Sequence, residues 1–140
     1  TGARCFFFFA TTLHRPLIPI IPTKELHDDF PDFEGRLSKG HKFDVTTNIF
    51  EKLPEIFTAY KIDSESIQLL GRTNNERVIK FVSQKYIKGP ENLNKFKLIL
   101  PKANGSGVLG ETLSTPLVGD PLVGHTQTFI SIGCLDTEFE

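Results

Sequence analysis

The chain has 140 residues, of which 39% are apolar, so it is long enough to bury a core and too apolar for a disordered chain. Its net charge of −1 gives no overall signal for a polyanionic partner. No apolar stretch reaches the roughly 18 residues that a membrane-spanning helix needs, so we expect no membrane role.

The two cysteines, Cys5 and Cys134, lie far apart in the sequence. They fit neither a metal-ligand spacing nor a disulfide framework. We therefore expect free thiols in a reducing compartment, the cytoplasm.

The first part of the chain predicts one strand and short helices. The aromatic run at 4–10 is typical of a buried strand, and residues 11–23, with three prolines, are expected to be irregular. A helix is expected to begin near Asp32 and to end by Gly40. Residues 47–60 have helical spacing, although Pro54 is better placed at the start of a second short helix than inside a longer one.

After Asp63 the pattern becomes β. Two strands, 67–70 and 78–82, flank the turn-rich segment 71–76, which predicts a hairpin loop. A short connector at 90–94 precedes a strand at 96–100, and the alternation at 126–132 predicts a further strand whose even-numbered residues share one face. The fold class that follows is α+β, with a mixed or mainly antiparallel sheet and a few short helices in a single domain. The abrupt ends of the chain predict a fragment of a longer protein.

Positive charge is concentrated in the middle of the chain. Eight basic residues stand between 72 and 102, against only Glu76 and Glu91, whereas five acids and no lysine or arginine follow from 103 onward. Such a segment indicates either a phosphate-binding face or a solvated strand face.

Motifs for catalysis are absent from the sequence. It has no glycine-rich nucleotide loop, no nucleophile elbow and no histidine pair with zinc-ligand spacing. Asp63 and Glu65 come nearest to a nuclease-like acidic pair, but the strand that follows supplies no lysine. His125 and Gln127 at a strand start offer hydrogen bonds to base edges, or to buried backbone groups of the chain itself.

Several segments together resemble the C-terminal region of adenine-specific restriction–modification DNA methyltransferases, some of which are fused to a nuclease. The strongest combination is the loop Pro101-Lys-Ala-Asn-Gly-Ser-Gly107 followed by Thr126-Gln-Thr-Phe129. The likeness runs from about Asp44 to the end of the chain. The opening Gly2-Ala-Arg-Cys-Phe-Phe-Phe-Phe9 is similar to the last strand of that family's catalytic domain.

The resemblance implies a division of labour within a longer bacterial protein. Residues 1–43 would be a remnant of the catalytic domain or a linker from it, and residues 44–140 a target-recognition-like DNA-binding domain. The full protein would transfer a methyl group from S-adenosylmethionine to the N6 amine of adenine. The family's cofactor loop and its Asn-Pro-Pro-Tyr element do not occur here, so we expect no catalytic residue, no metal and no cofactor in this chain.

Double-stranded DNA and the catalytic methylase domain of the same protein are the expected partners. The candidate phosphate contacts are Lys80, Lys85, Lys88, Lys95 and Lys102. The candidate base or groove contacts, with the loop residues beside them, are Arg72, Asn74, Asn75, Arg77, Asn104, Ser106, His125 and Gln127.

Two other functions remain open from the sequence. One is a small metal-dependent nuclease or a hydrolase that uses Asp63, Glu65 or His125. The other is a protein–protein interaction module without DNA binding, in which the Phe-rich start and the segment 116–124 dock on a partner subunit.

Overall fold

The structure is a computed structural model that describes residues 20–36, 45–102 and 115–138. The predicted N-terminal strand and the glycine loop with Asn104 and Ser106 lie outside these residues. The fold is α+β with mostly antiparallel sheets and short helices, as the sequence predicts.

Three short helices and one 3-10 turn come before the main sheets in the described part of the chain. They are α1 (Lys24–Asp29), α2 (Phe33–Arg36), α3 (Ile49–Lys52) and the 3-10 turn Pro54–Ile56. Pro54 therefore starts a separate helical segment, which confirms the second of the two alternatives, because the ring of proline fits the first turn of a helix. The helical spacing up to Tyr60 is misleading, since Phe57 and Thr58 pair with a strand instead.

The strands of the described residues form three sheets. Their bounds are β1 (Ile21–Pro22), β2 (Phe57–Thr58), β3 (Ile67–Thr73), β4 (Glu76–Val82), β5 (Ile87–Lys88), β6 (Phe96–Pro101), β7 (Leu117–Gly119), β8 (Val123–His125) and β9 (Phe129–Leu135). Sheet orders are β1-β5, β2-β4-β3-β8 and β7-β6-β9. The β3–β8 pair is parallel, and the other pairs among the described strands are antiparallel. A second 3-10 turn, Glu91–Asn94, forms the predicted connector.

The predicted hairpin is present, but its loop is shorter than the sequence suggested. β3 and β4 extend to Thr73 and Glu76, so only Asn74 and Asn75 form the turn. Their φ angles are 52° and 65°, the left-handed values that a two-residue type I′ turn requires. The polar residues on either side look like loop in the sequence because they lie on partly exposed ends of the strands.

The strand predicted at 126–132 is displaced toward the C-terminus. β8 ends at His125, so Thr126 lies outside it, and β9 begins only at Phe129. Within β9, Phe129 and Ser131 are buried and Ile130 is exposed, because Phe129 packs between the two larger sheets.

β3 is covered on both faces, which makes it the centre of the fold. Ile67 and Leu69 face the larger core, to which the helices contribute Leu26, Phe33 and Phe50. Leu70 faces the smaller core, where Ile99 and Phe129 of the three-stranded sheet pack against it. The two larger sheets therefore meet around Leu70.

Gly71 permits close packing on β3. A Cβ at this position would lie 2.6 Å from Cε2 of Phe50 in the larger core. A side chain there would push the buried ring out of place.

Cys134 is disulfide-bonded, so the prediction of free thiols is wrong for this residue. The widely spaced cysteines gave no sequence signal for a bond, because spacing reports local motifs and carries no information about distant pairing. Among the described helices, none is long and apolar enough to cross a membrane.

Candidate nucleic-acid interface

The ends of four strands meet at one end of the molecule. β8 runs parallel to β3 with His125 beside Leu70, and the N–H of Thr126 donates to the carbonyl oxygen of Leu70 at 2.9 Å. The N–H of Lys102, which follows β6, donates to the carbonyl oxygen of Thr128 at 3.0 Å, just before β9 begins. Residues that are distant in the sequence therefore share this end.

A cavity of about 250 Å³ opens among these strand ends. The side chains that line the cavity are mainly apolar and include Phe129. Three residues predicted from the sequence, Lys102, His125 and Gln127, line it together. We refer to Arg72, Arg77, Lys102, His125 and Gln127 as the basic end.

The two arginines of the basic end are neighbours across the hairpin. Arg72 and Arg77 are register partners, so their side chains leave the same face of the sheet. The guanidinium of Arg77 lies 5.9 Å from the ring centroid of Phe129 and donates to the carbonyl oxygen of Thr115 at 3.2 and 3.3 Å. Phe129 thus connects Arg77 to the cavity.

The cations of the basic end lack carboxylate partners in the described part of the chain. No salt bridge there involves Arg72, Arg77 or Lys102; the residues with such contacts are His27, Arg36, Lys85 and Lys95. Among the residues that the structure describes, no carboxylate pairs with the positive charges at this end.

The imidazole of His125 is held in one orientation. Its Nδ1 lies 3.0 Å from the carbonyl oxygen of Thr126. Burial lowers the pKa of His125, and the nearby charges of Lys102 and Lys97 lower it further against that hydrogen bond. In the neutral ring Nδ1–H donates to Thr126, which leaves Nε2 as an acceptor for an amine such as that on adenine or cytosine.

Lys97 and Asn92 also line the cavity, and the sequence did not single them out as site residues. The ammonium of Lys97 is buried and donates to the carbonyl oxygens of Leu93, Lys95 and Asp120 at 3.2, 2.8 and 3.1 Å. Desolvation lowers its pKa to about 8, opposed by the charge of Asp120. Lys97 therefore links β6 to the 3-10 turn before it and to the residue that follows β7, although the sequence counts it in the basic segment.

Asn92 has a similar joining role. Its Nδ2 donates to Oγ of Ser131 at 2.9 Å and to the carbonyl oxygen of Gly133 at 3.2 Å. These bonds fix the 3-10 turn Glu91–Asn94 against β9.

The remaining candidate lysines do not join the basic end. Lys80 lies on the opposite face of the hairpin, with Nζ 5.1 Å from the ring centroid of Phe50. Lys85 pairs with Asp29 at 2.6 Å, and Lys95 pairs with Asp136. Lys88 is exposed on β5, in the two-stranded sheet.

Asn74 and Asn75 are exposed at the hairpin tip, two and three positions from Arg72. Their left-handed backbone explains why asparagine is found there without any ligand. The placement of Asn104 and Ser106 is outside the described residues, in the segment that leaves from Lys102 and returns at Thr115.

The acidic pair of the nuclease alternative has a local structural role. Oδ1 of Asp63 accepts from the N–H of Glu65 at 2.9 Å and from Oγ of Ser66 at 3.0 Å, which closes a tight turn before β3. Within the described ranges, no group of three or more His, Cys, Asp or Glu side chains could hold a metal ion.

Comparisons with protein-family models, with curated proteins and with solved structures find no match to this chain. The functional argument therefore depends on the geometry of the chain itself.

Proposed function

We propose that this chain binds double-stranded DNA as the target-recognition portion of a restriction–modification N6-adenine methyltransferase. The observation that carries the proposal is the basic end. Lys102 lines the cavity together with His125 and Gln127, and Arg77 lies over Phe129 of the same cavity, beside its register partner Arg72. None of the three cations has a carboxylate partner among the described residues. Cations position a duplex through its phosphates, and an amide or imidazole reads base edges. The sequence resemblance supports the same function.

In this proposal the chain recognises and the rest of the protein catalyses. Methyl transfer would occur on a separate catalytic methylase domain, which would bind S-adenosylmethionine. The residues of the basic end carry no nucleophile and general-base pair, so their role is binding.

We extend the proposal to a cytoplasmic location, because duplex DNA of a bacterial cell is held there. The disulfide at Cys134 is evidence against this part of the proposal, since disulfides are rare in reducing compartments.

The salt dependence of DNA binding tests the proposal. Each phosphate contact contributes about −0.9 to the slope of log K against log salt. We expect Arg77→Gln and Lys102→Gln each to reduce the slope of the chain by about that amount, measured by fluorescence anisotropy with a short duplex from low salt upward.

Lys85→Gln is the matched control, because Lys85 is already paired with Asp29 on α1 and lies outside the basic end. Its slope should equal that of the wild type. If all three variants have the same slope as the wild type, the basic end is not part of the DNA interface.

One observation favours a second candidate, a protein-interaction module. Leu98, Val118 and Ile130 are exposed on the outer face of the three-stranded sheet, where a solvated face is normally polar. Val118 lies in the segment 116–124 that the sequence suggested for docking. This candidate predicts no DNA binding even at low salt.

A further inference from the structure

The pairing of Arg72 with Arg77 places two like charges side by side. Thr73 and Glu76 form the pair next to the two-residue turn, and Arg72 and Arg77 form the next pair along the hairpin. In such a hairpin the pair next to the turn is hydrogen-bonded. The following pair is therefore not hydrogen-bonded and is the closer kind, with Cα atoms about 4.5 Å apart. Like charges directly opposite each other destabilise a sheet.

The fold leaves this pair short of acceptors. Within the part of the chain that the structure describes, Nε of Arg72 is buried without a hydrogen-bond partner, and Arg77 donates to the carbonyl oxygen of Thr115. Glu76, the nearest acid in the hairpin, is next to Arg77 in β4 and so points to the opposite face. Among the described residues the pair therefore has no carboxylate to balance its two charges, and an anion from outside would do so.

We propose that Arg72 and Arg77 form a binding site for one phosphate group, with DNA backbone phosphate as its source. Two planar guanidiniums offer parallel N–H donors that match the oxygens of a phosphate, and its charge relieves their mutual repulsion. The contacts of Arg77 with Thr115 and Phe129 hold one guanidinium in place for the ligand. The identity of the source rests on the proposed function; the site itself does not.

Thermal unfolding of the 140-residue chain with inorganic phosphate tests the site. Sodium phosphate is compared with sodium chloride at equal pH and ionic strength. A ligand that binds only the folded chain raises the midpoint with the logarithm of its concentration above the Kd, here by about 5 °C at ten times the Kd. Phosphate also stabilises proteins without a site, because it is excluded from the protein surface, but that effect does not depend on the two arginines.

The part of the shift that depends on the site should disappear in Arg72→Gln and in Arg77→Gln, which should keep only the general stabilisation by phosphate. It should persist in Lys85→Gln. If a glutamine variant does not fold, Arg72→Lys takes its place. Lysine keeps the charge and loses the fork of donors, so its apparent Kd for phosphate should be about tenfold weaker. If phosphate raises the midpoint of the wild type no more than that of either arginine variant, the site is overturned.

Competition identifies the source of the phosphate. At constant ionic strength, inorganic phosphate should weaken duplex binding by the wild type and leave that of the Arg72→Gln, Arg77→Gln double variant unchanged. Phosphate that binds without weakening duplex binding would overturn DNA as the source. If, in that case, Lys102→Gln still weakens duplex binding, the proposed function is retained and only DNA as the source of the phosphate is rejected.

Discussion

At the scale of the single residue, burial determines the protonation state of His125. Desolvation, together with the charges of Lys102 and Lys97, holds its pKa below the ordinary value of 6.5. The imidazole is therefore neutral in the folded chain at pH 7, which is the form that can accept a hydrogen bond from a base amine. His125 can therefore accept a hydrogen bond although the charges of Lys97 and Lys102 are nearby.

This lowered pKa predicts a pH-dependent stability. Below pH 6.5 the unfolded chain takes up a proton at His125 that the folded chain does not bind, so the free energy of unfolding falls as the pH falls. Above pH 6.5 both states are neutral and the effect vanishes. The slope due to this residue is at most about 1.4 kcal/mol per pH unit.

Urea denaturation between pH 7.5 and 5.5 measures the effect, with His125→Asn as the comparison. The variant should lose less stability than the wild type over this range. Identical losses in the two proteins would show that the pKa of His125 is the same in the folded and unfolded chains.

Lys97 and Lys102 show what the sequence does and does not reveal about single residues. Both belong to the basic segment, yet Lys97 is buried among three carbonyl oxygens and Lys102 is exposed at the cavity. The alternation of β6 places Lys97 on the same face as Ile99, which is a usable signal for burial. Two of its carbonyl acceptors, on Leu93 and Lys95, are close in the sequence, but the third, on Asp120, is 23 residues away, and no sequence pattern predicts that they converge.

At the scale of the element, the turn of the β3–β4 hairpin depends on two asparagines with positive φ. We expect Asn75→Gly to be neutral or slightly stabilising, because glycine adopts this backbone without strain. Asn75→Val should destabilise the chain by roughly 1–2 kcal/mol, since a side chain branched at Cβ is poorly tolerated there. Denaturant midpoints of the two variants provide the measurement.

Asn94→Val is the matched control, because Asn94 is exposed at the end of a 3-10 turn and does not have a positive φ. It should change stability little. Equal stabilities of Asn75→Gly and Asn75→Val would contradict the type I′ turn.

Several elements could be predicted from the sequence and others could not. The hairpin, the connector at 90–94 and the helical start at Pro54 follow from local turn and capping chemistry, and all three are found. Local patterns predicted the start of β9 too early, because the hydroxyls of Thr126 and Thr128 hydrogen-bond to each other, and that of Thr128 donates to Thr47, instead of continuing a strand. Helix α1 was missed, because six residues with a single buried leucine give little periodicity.

At the scale of the whole molecule, topology decides which charges act together. The basic segment 72–102 was predicted as one face, but its cations are distributed over both faces of the hairpin and over the other sheets. Arg72, Arg77 and Lys102 share an end only because parallel pairing brings β8 beside β3, and β9 turns back beside β6. Such long-range pairing is not encoded in any one segment of the sequence.

Chemical-shift mapping of the ¹⁵N-labelled chain with a short duplex tests the central claim most directly, and it is suited to weak binding by a chain of net charge −1. We expect the shift changes to centre on the amides of Arg72, Arg77, Lys102, His125 and Gln127, and to leave Lys85 and Lys88 unaffected. Shift changes centred on Lys85 and Lys88, or none at low salt, would contradict DNA recognition by the basic end.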